Sequence, residues 1–338
     1  MAKVVLTKAL LTSIADAIRA KTGKSAAMTP AQMASEITAI PTADTSALDD
    51  LLEGTAAEIT FRGTLLREKA LQNYGNSLVP LHLVTPNLKI VGNGALYSAY
   101  IRDFVTPAAG VSLGQDCLRY ATISGDSSVV VSSLTIGALT GVNVPAGASL
   151  VVTLLQARIP MNAAMQSWAA LKSVRQSAPA THVQGGAEVI IPNLTALPNS
   201  TFSTCANLET IDLPHVTSIG VAAFSQCPKI TELNLPAVTE ISPSAFSGCK
   251  GLVKARIHGA SLGGWAFSDT GLATLIIDLD DGEAIPTMQN TNVFNNTPIA
   301  NGTGFIYLPD GRVEECQAAT NWAAFAAQIK PLSEYTED

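Results

Sequence analysis

Residues 191–256 read IPNLTALPNSTFSTCANLETID (191–212), LPHVTSIGVAAFSQCPKITELN (213–234) and LPAVTEISPSAFSGCKGLVKAR (235–256). Set out this way, Phe202, Phe224 and Phe246 fall 22 residues apart, as do Cys205, Cys227 and Cys249, and Pro192, Pro214 and Pro236. A fourth unit, IHGASLGGWAFSDTGLATLII (257–277), is one residue shorter and puts Asp269 near the Cys position. So short a unit cannot bury its own apolar face, so the fixed period means stacked coils. Each coil carries an apolar-x-x-apolar-x-apolar stretch: Leu208/Ile211/Leu213, Ile230/Leu233/Leu235, Leu252/Ala255/Ile257 and Leu272/Leu275/Ile277. Its last residues alternate in and out, as a strand does. A second apolar pair (Val216/Ile219, Val238/Ile241) marks another extended piece before the Phe-bearing turn.

Outward from these repeats the period blurs. Residues 55–158 keep fragments of the unit. Leu78/Leu81/Leu83 and Leu139/Val142/Val144 match the strand pattern. The run Pro86, Leu88, Val91, Gly92, Ala95, Leu96 tracks Pro214, Val216, Ile219, Gly220, Ala223, Phe224, and Gly114 and Leu118 lie 22 further on. These fragments predict a degenerate solenoid, with a separate β-sandwich as the rival. Residues 159–186 predict a helix capped by Asn162 and carrying Met165, Trp168 and Leu171, then the polar linker APATHVQGG. Residues 278–338 form the end cap, with helical pieces near Val313–Ala319 and Trp322–Ile329, the last capped by Asn321.

Residues 1–54 predict three short helices. Thr7 caps the first, with Leu10, Leu11, Ile14 and Ile18 on one face. Thr29, Pro30 and Gln32 open the second with a capping box, and the third runs from Ser46 to Glu53. Helices this short need a partner, so the segment is expected to be an attachment module.

The chain has 338 residues, is 47% hydrophobic and 14% charged, and carries a net charge of −7. No Lys/Arg cluster of the kind that neutralises phosphates is present, which argues against nucleic-acid binding. No run approaches the length of a membrane span, and Lys8 and Asp16 interrupt the one stretch that resembles a signal peptide. The chain is therefore expected to be made in a cytosol without its own secretion signal.

Chemistry-bearing motifs are few. Equal spacing stacks Cys205, Cys227 and Cys249 one per coil, as core residues rather than zinc ligands, which gather in pairs. Gly110-Val111-Ser112-Leu113-Gly114 fits the nucleophile-elbow pattern. Pro107 precedes it, however, and no helix pattern follows. Asp278-Leu279-Asp280-Asp281-Gly282 is one residue short of a calcium loop and reads as an acidic turn, with a surface calcium site as the minor alternative. His82, His182, His215 and His258 are scattered. No catalytic residue, metal or cofactor is expected.

The units ending A-F-x-x-C, as in AAFSQCPKITELNLPAVTEI, resemble BspA-like leucine-rich repeats. The stretch LTSIADAIRAKTGKSAAMTPAQMASEITAI resembles the opening module of phage tail and minor structural proteins. FIYLPDGRVEECQAATNWAAFAAQIKPLSEY is similar to the ending found with such repeats in phage proteins. The resemblance implies a mainly β leucine-rich-repeat solenoid displayed on a virion, as a tail-fibre or tail-tip component that binds the host surface. The alternatives are a head fibre or decoration protein of the same particle, or a bacterial surface adhesin; a carbohydrate-active enzyme is remote. The expected partners are other virion proteins, through the N-terminal helices, and a host glycan or protein, with self-association into a homo-oligomer. Any ligand contact is expected on the outward strand positions Thr210, Asp212, Glu232, Asn234, Lys254, Arg256 and Thr274, with Ile276 beside them.

Overall fold

The computed structural model of the chain describes residues 59–60, 63–74, 80–135, 137–155, 165, 167–181 and 183–337. The three expected helices of residues 1–54 lie outside them. The first part of the described chain supplies β1 (Ile59–Thr60), β2 (Leu65–Leu66), β3 (Leu81–Val84), β4 (Ile90–Val91), β5 (Tyr100–Val105), β6 (Val111–Leu113), β7 (Thr122–Ile123), β8 (Asp126–Leu134) and β9 (Ser149–Leu154). These strands pair in parallel, β1-β3-β5-β8-β9 along one face and β2-β4-β6 along another. Parallel neighbours reached by full turns make a solenoid and exclude the antiparallel sandwich.

β10 (Leu171–Arg175) and β11 (Gly186–Ile190) follow, then β12 (Ala196–Leu197), β13 (Thr210–Asp212), β14 (Ser218–Ile219), β15 (Glu232–Leu235), β16 (Glu240–Ile241), β17 (Lys254–His258), β18 (Ser261–Leu262) and β19 (Thr274–Asp278). The coils stack at the repeat spacing: Ile219 pairs with Ile241, and Leu233 with Ala255. Here β12, β14, β16 and β18 pair as a narrow sheet and β15, β17 and β19 as a wide one, and the wide sheet does not stop at residue 277. It gains β20 (Phe305–Leu308) and β21 (Ile329–Pro331) in parallel, so part of the expected cap is further solenoid.

One column of side chains runs down the axis. Phe202, Phe224, Phe246, Phe267 and Phe294 are fully buried and stack with centroids 5.4–6.2 Å apart and planes within 15° of parallel. Trp322 and Phe325 close the stack at the C-terminal end. In the first half, the backbone hydrogen bonds between turns put Leu96, Leu118 and Leu139 in the same place. Leu139 therefore takes the Phe place of its coil, not the place of Leu208 that its spacing from Val142 and Val144 suggested. The repeat spacing also misplaced one residue. Thr270 fills the Cys position of its coil and donates to the Phe267 carbonyl at 2.8 Å, while Asp269 sits beside it in the exposed turn.

The turns explain why the coil sequence is so constrained. Each Phe-bearing turn needs two left-handed residues four apart: Ser200 and Thr204, Ala222 and Gln226, Ser244 and Gly248, Trp265 and Asp269. Only one of these eight is glycine, and a left-handed residue with a Cβ costs about 1–2 kcal/mol. The neighbouring coil holds each turn in place, since Phe224 and Gln226 donate their N–H groups to Ala245 and Ser247 of the next. Gly220 has a different reason. A Cβ there would lie 2.6 Å from the Leu197 carbonyl oxygen, so the coils could not close to strand spacing.

Asn162, the expected cap of a helix carrying Met165, Trp168 and Leu171, lies outside the described residues; among those described, Trp168 lies in an irregular stretch beside a turn and Leu171 opens β10. Spacings of three suit a helix, but Met165 and Trp168 here face the axis from a coil turn, with the Trp168 indole donating to the Val142 carbonyl at 3.0 Å. After β10 the chain doubles back through residues 176–185, and β11 inserts between β9 and β10. Val189 thus pairs with Val152 on one side and Val174 on the other. The inserted strand brings a buried charge. Glu188, 1% exposed, meets Arg175 Nε at 3.0 Å and accepts from Ser173 Oγ at 3.2 Å, and Arg175 also reaches Asp212 at 3.4 Å.

At the C-terminal end, α1 (Val313–Ala318) is a single six-residue helix, and Trp322–Gln328 is a kinked 3-10 segment. Asn321 does not cap it. Its backbone is left-handed (φ 66°), and its side-chain amide donates to the Met288 carbonyl at 2.7 Å.

Candidate functional site

On β13, and on β15 and β17 of the next sheet along the axis, buried and outward residues alternate, so every second side chain points away from the axis. On β13, β15 and β17 the inward residues Ile211, Leu233, Leu235, Ala255 and Ile257 are buried. The outward ones form the expected stripe. Glu232, Asn234 and Arg256 are exposed, while Thr210, Asp212, Lys254 and Thr274 are half-buried. Register places Glu232 beside Lys254 and Asn234 beside Arg256, and Lys254 beside Thr274. Parallel spacing sets such neighbours about 4.8 Å apart.

Several of these groups are already engaged. Asp212 meets Arg175. Arg256 grips Asp278 with two hydrogen bonds, Nε to Oδ2 at 2.7 Å and Nη2 to Oδ1 at 2.9 Å, and that bond raises the guanidinium pKa. Lys254 lies over the Tyr335 ring at 5.3 Å and 3.8 Å from Glu337; the Tyr335 hydroxyl is the main cause of its raised pKa. Glu232 and Asn234 are left as the open centre of the stripe.

Ile276 departs from the expectation: it is 1% exposed. It lies in register between Arg256 and Tyr307. Tyr335 packs on Tyr307 at 5.1 Å and reaches Lys254, so the C-terminal segment crosses over β19. Residues far apart in sequence make this cover, and no local pattern could announce it.

The structure adds two further features. Beside strands β8 and β9 and residues Ala180, Thr181 and Gln184 lies an open groove of about 460 Å³, with Asp126, Ser128, Thr181 and Gln184 on its walls beside Val105 and Val151. Asp126 accepts from the Ser149 hydroxyl at 2.6 Å, and His82 pairs with Asp103 on the adjoining strands. Its lining joins β8 and β9 to Ala180, Thr181 and Gln184, a neighbourhood that spacing cannot reveal. The other feature is His258, Asp280 and Glu283, which converge at the end of β17.

Ser112 sits inside β6. A nucleophile elbow needs a strand-to-helix turn, so the motif has no such setting here. Cys205, Cys227 and Cys249 are buried free thiols. Each donates to a carbonyl of the preceding coil: Met165 at 3.3 Å, Phe202 at 3.1 Å and Phe224 at 3.1 Å. Burial pushes Cys205 and Cys249 up to about 12, far from a reactive thiolate.

A family model described as a BspA type leucine rich repeat region matches residues 186–299 in six copies. The repeats are of the BspA type. They extend past the four units visible as a strict period, through the coil that carries Phe294. No curated protein matches the chain. Among solved structures, the chain is similar to a leucine-rich repeat protein from Bacteroides ovatus, with 16% identity and a TM-score of 0.28 over 82% of this chain and 61% of that one. It thus spans less than two thirds of that protein.

Proposed function

We propose that the chain is a non-catalytic binding protein whose parallel sheet presents its outward face to a protein or glycan on another surface. The observation that carries this reading is the stripe itself. Glu232, Asn234 and Arg256 stand exposed on adjoining coils of a stacked ladder, with acid, amide and base side by side. A rigid face of mixed sign suits a polar partner better than a uniformly charged one.

Two settings fit such a scaffold. The BspA-type repeats favour a bacterial surface protein of adhesin type. The resemblance of both terminal segments to phage proteins favours a virion component, in the tail fibre or tail tip or on the head, with residues 1–54 joining it to other virion proteins and to copies of itself. The test uses the labelled full chain and its triple variant Asp212→Ala, Asn234→Ala, Arg256→Ala on whole bacterial cells. The variant is expected to melt within a few degrees of the parent and to bind at least tenfold more weakly. Equal binding by a folded variant would remove the face from the reading.

A further inference from the structure

His258 ends β17, and the next coil delivers the turn Leu279–Glu283 against it. Its Nε2 lies 3.2 Å from Glu283 Oε2 and 3.9 Å from Asp280 Oδ2, and the three ligand atoms all fall within 4.8 Å of one another. The turn is held in shape. Gly282 is left-handed at φ +84°, Glu283 N donates to the Asp280 carbonyl at 3.1 Å, and Asp280 N donates back to Glu283 Oε2 at 2.9 Å. The Arg312 guanidinium also anchors the Glu283 backbone carbonyl at 2.6 Å.

We propose that His258, Asp280 and Glu283 bind one zinc-class divalent ion. Bond lengths of about 2.0–2.1 Å in a tetrahedral site put neighbouring ligand atoms roughly 3.3–3.4 Å apart. The His258–Glu283 pair already has that separation. Asp280, with its side chain 83% exposed, closes the other edge by a small swing. An imidazole nitrogen beside two carboxylate oxygens selects a borderline ion over calcium or magnesium, which take oxygen alone. Three protein ligands leave one position for water. The ion would tie β17 to the loop leading to the last coils, at the rim of the outward face beside the Arg256–Asp278 pair. Among the described residues this is the one group of three metal-capable side chains so placed.

The test is calorimetric titration of zinc chloride into the chelator-treated full chain, with a thermal melt alongside. One saturable site of micromolar affinity is expected, with a melting temperature that rises on adding zinc. His258→Ala and Glu283→Gln should each weaken binding at least tenfold and abolish that rise, while His215→Ala changes neither. Circular dichroism of each variant without zinc establishes that it is folded. Absence of a saturable site, or binding unchanged in both His258→Ala and Glu283→Gln, would overturn the proposal and leave the three groups an ion pair at the surface.

Discussion

Replacing Phe246 by alanine tests the column on which the coils are stacked. The ring is wholly buried, 5.4 Å from Phe224 and 5.6 Å from Phe267, and nearly parallel to both. Emptying such a site costs about 3–5 kcal/mol, from lost transfer energy and the cavity left behind. Each stacked neighbour adds about 0.5–1.5 kcal/mol beyond its area, which puts the expected loss in the upper half of that range. Collapse cannot refill the space cheaply, because inter-strand hydrogen bonds fix the coil spacing. Phe246→Leu should cost less, roughly 1–2 kcal/mol, as Leu96, Leu118 and Leu139 occupy the same column in the first half. Urea denaturation followed by circular dichroism measures both, and hydrogen exchange locates the loss in coils 213–277. A Phe246→Ala loss below about 1 kcal/mol would refute the column as a source of stability.

The buried thiols predict sensitivity to alkali. Cys205 and Cys249 keep their protons up to about pH 12 when folded, whereas an unfolded thiol loses its own near about 8.5. Their contribution is therefore complete below that lower value and falls as pH rises toward the upper one, by up to about 1.4 kcal/mol per pH unit for each thiol. Urea midpoints at pH 7 and pH 10 should show the decline, with a smaller one in Cys249→Ala; an equal decline would point to other groups. Arg175→Met strips the guanidinium from the buried Glu188 carboxylate and should cost about 3–5 kcal/mol. The double variant with Glu188→Met should recover most of that, and failure to recover would mean the pair does not act as a unit.

The sequence was legible where coils repeat identities. Phe, Cys and Pro return every 22 residues between 192 and 249, and the strands and inward faces follow. The first half was readable in outline only, because Leu replaces Phe in the column and small residues replace Cys. What lay out of reach was strand order. LKSVR and GAEVI are both five-residue strands that pair in parallel, and nothing local tells that β11 lies between β9 and β10. The described part of the helix expected at Met165, Trp168 and Leu171 is a coil turn leading into β10, because apolar spacings of three fit a coil turn as well. The outward stripe was found from alternation alone, but the cover over Ile276 comes from the distant C-terminal segment. His258 and Glu283 are 25 residues apart and meet only through coil register, so Asp280 and its neighbours read as an acidic turn.

Photo-cross-linking tests most directly the claim that this solenoid binds through its outward strand face. The full chain would carry one photoreactive side chain, at exposed Asn234 on the wide sheet or at exposed Glu240 on the narrow one, and be illuminated on bacterial cells. The account predicts a discrete adduct from position 234, lost when unlabelled chain competes, and none from 240. Adducts from 240 with none from 234 would contradict it.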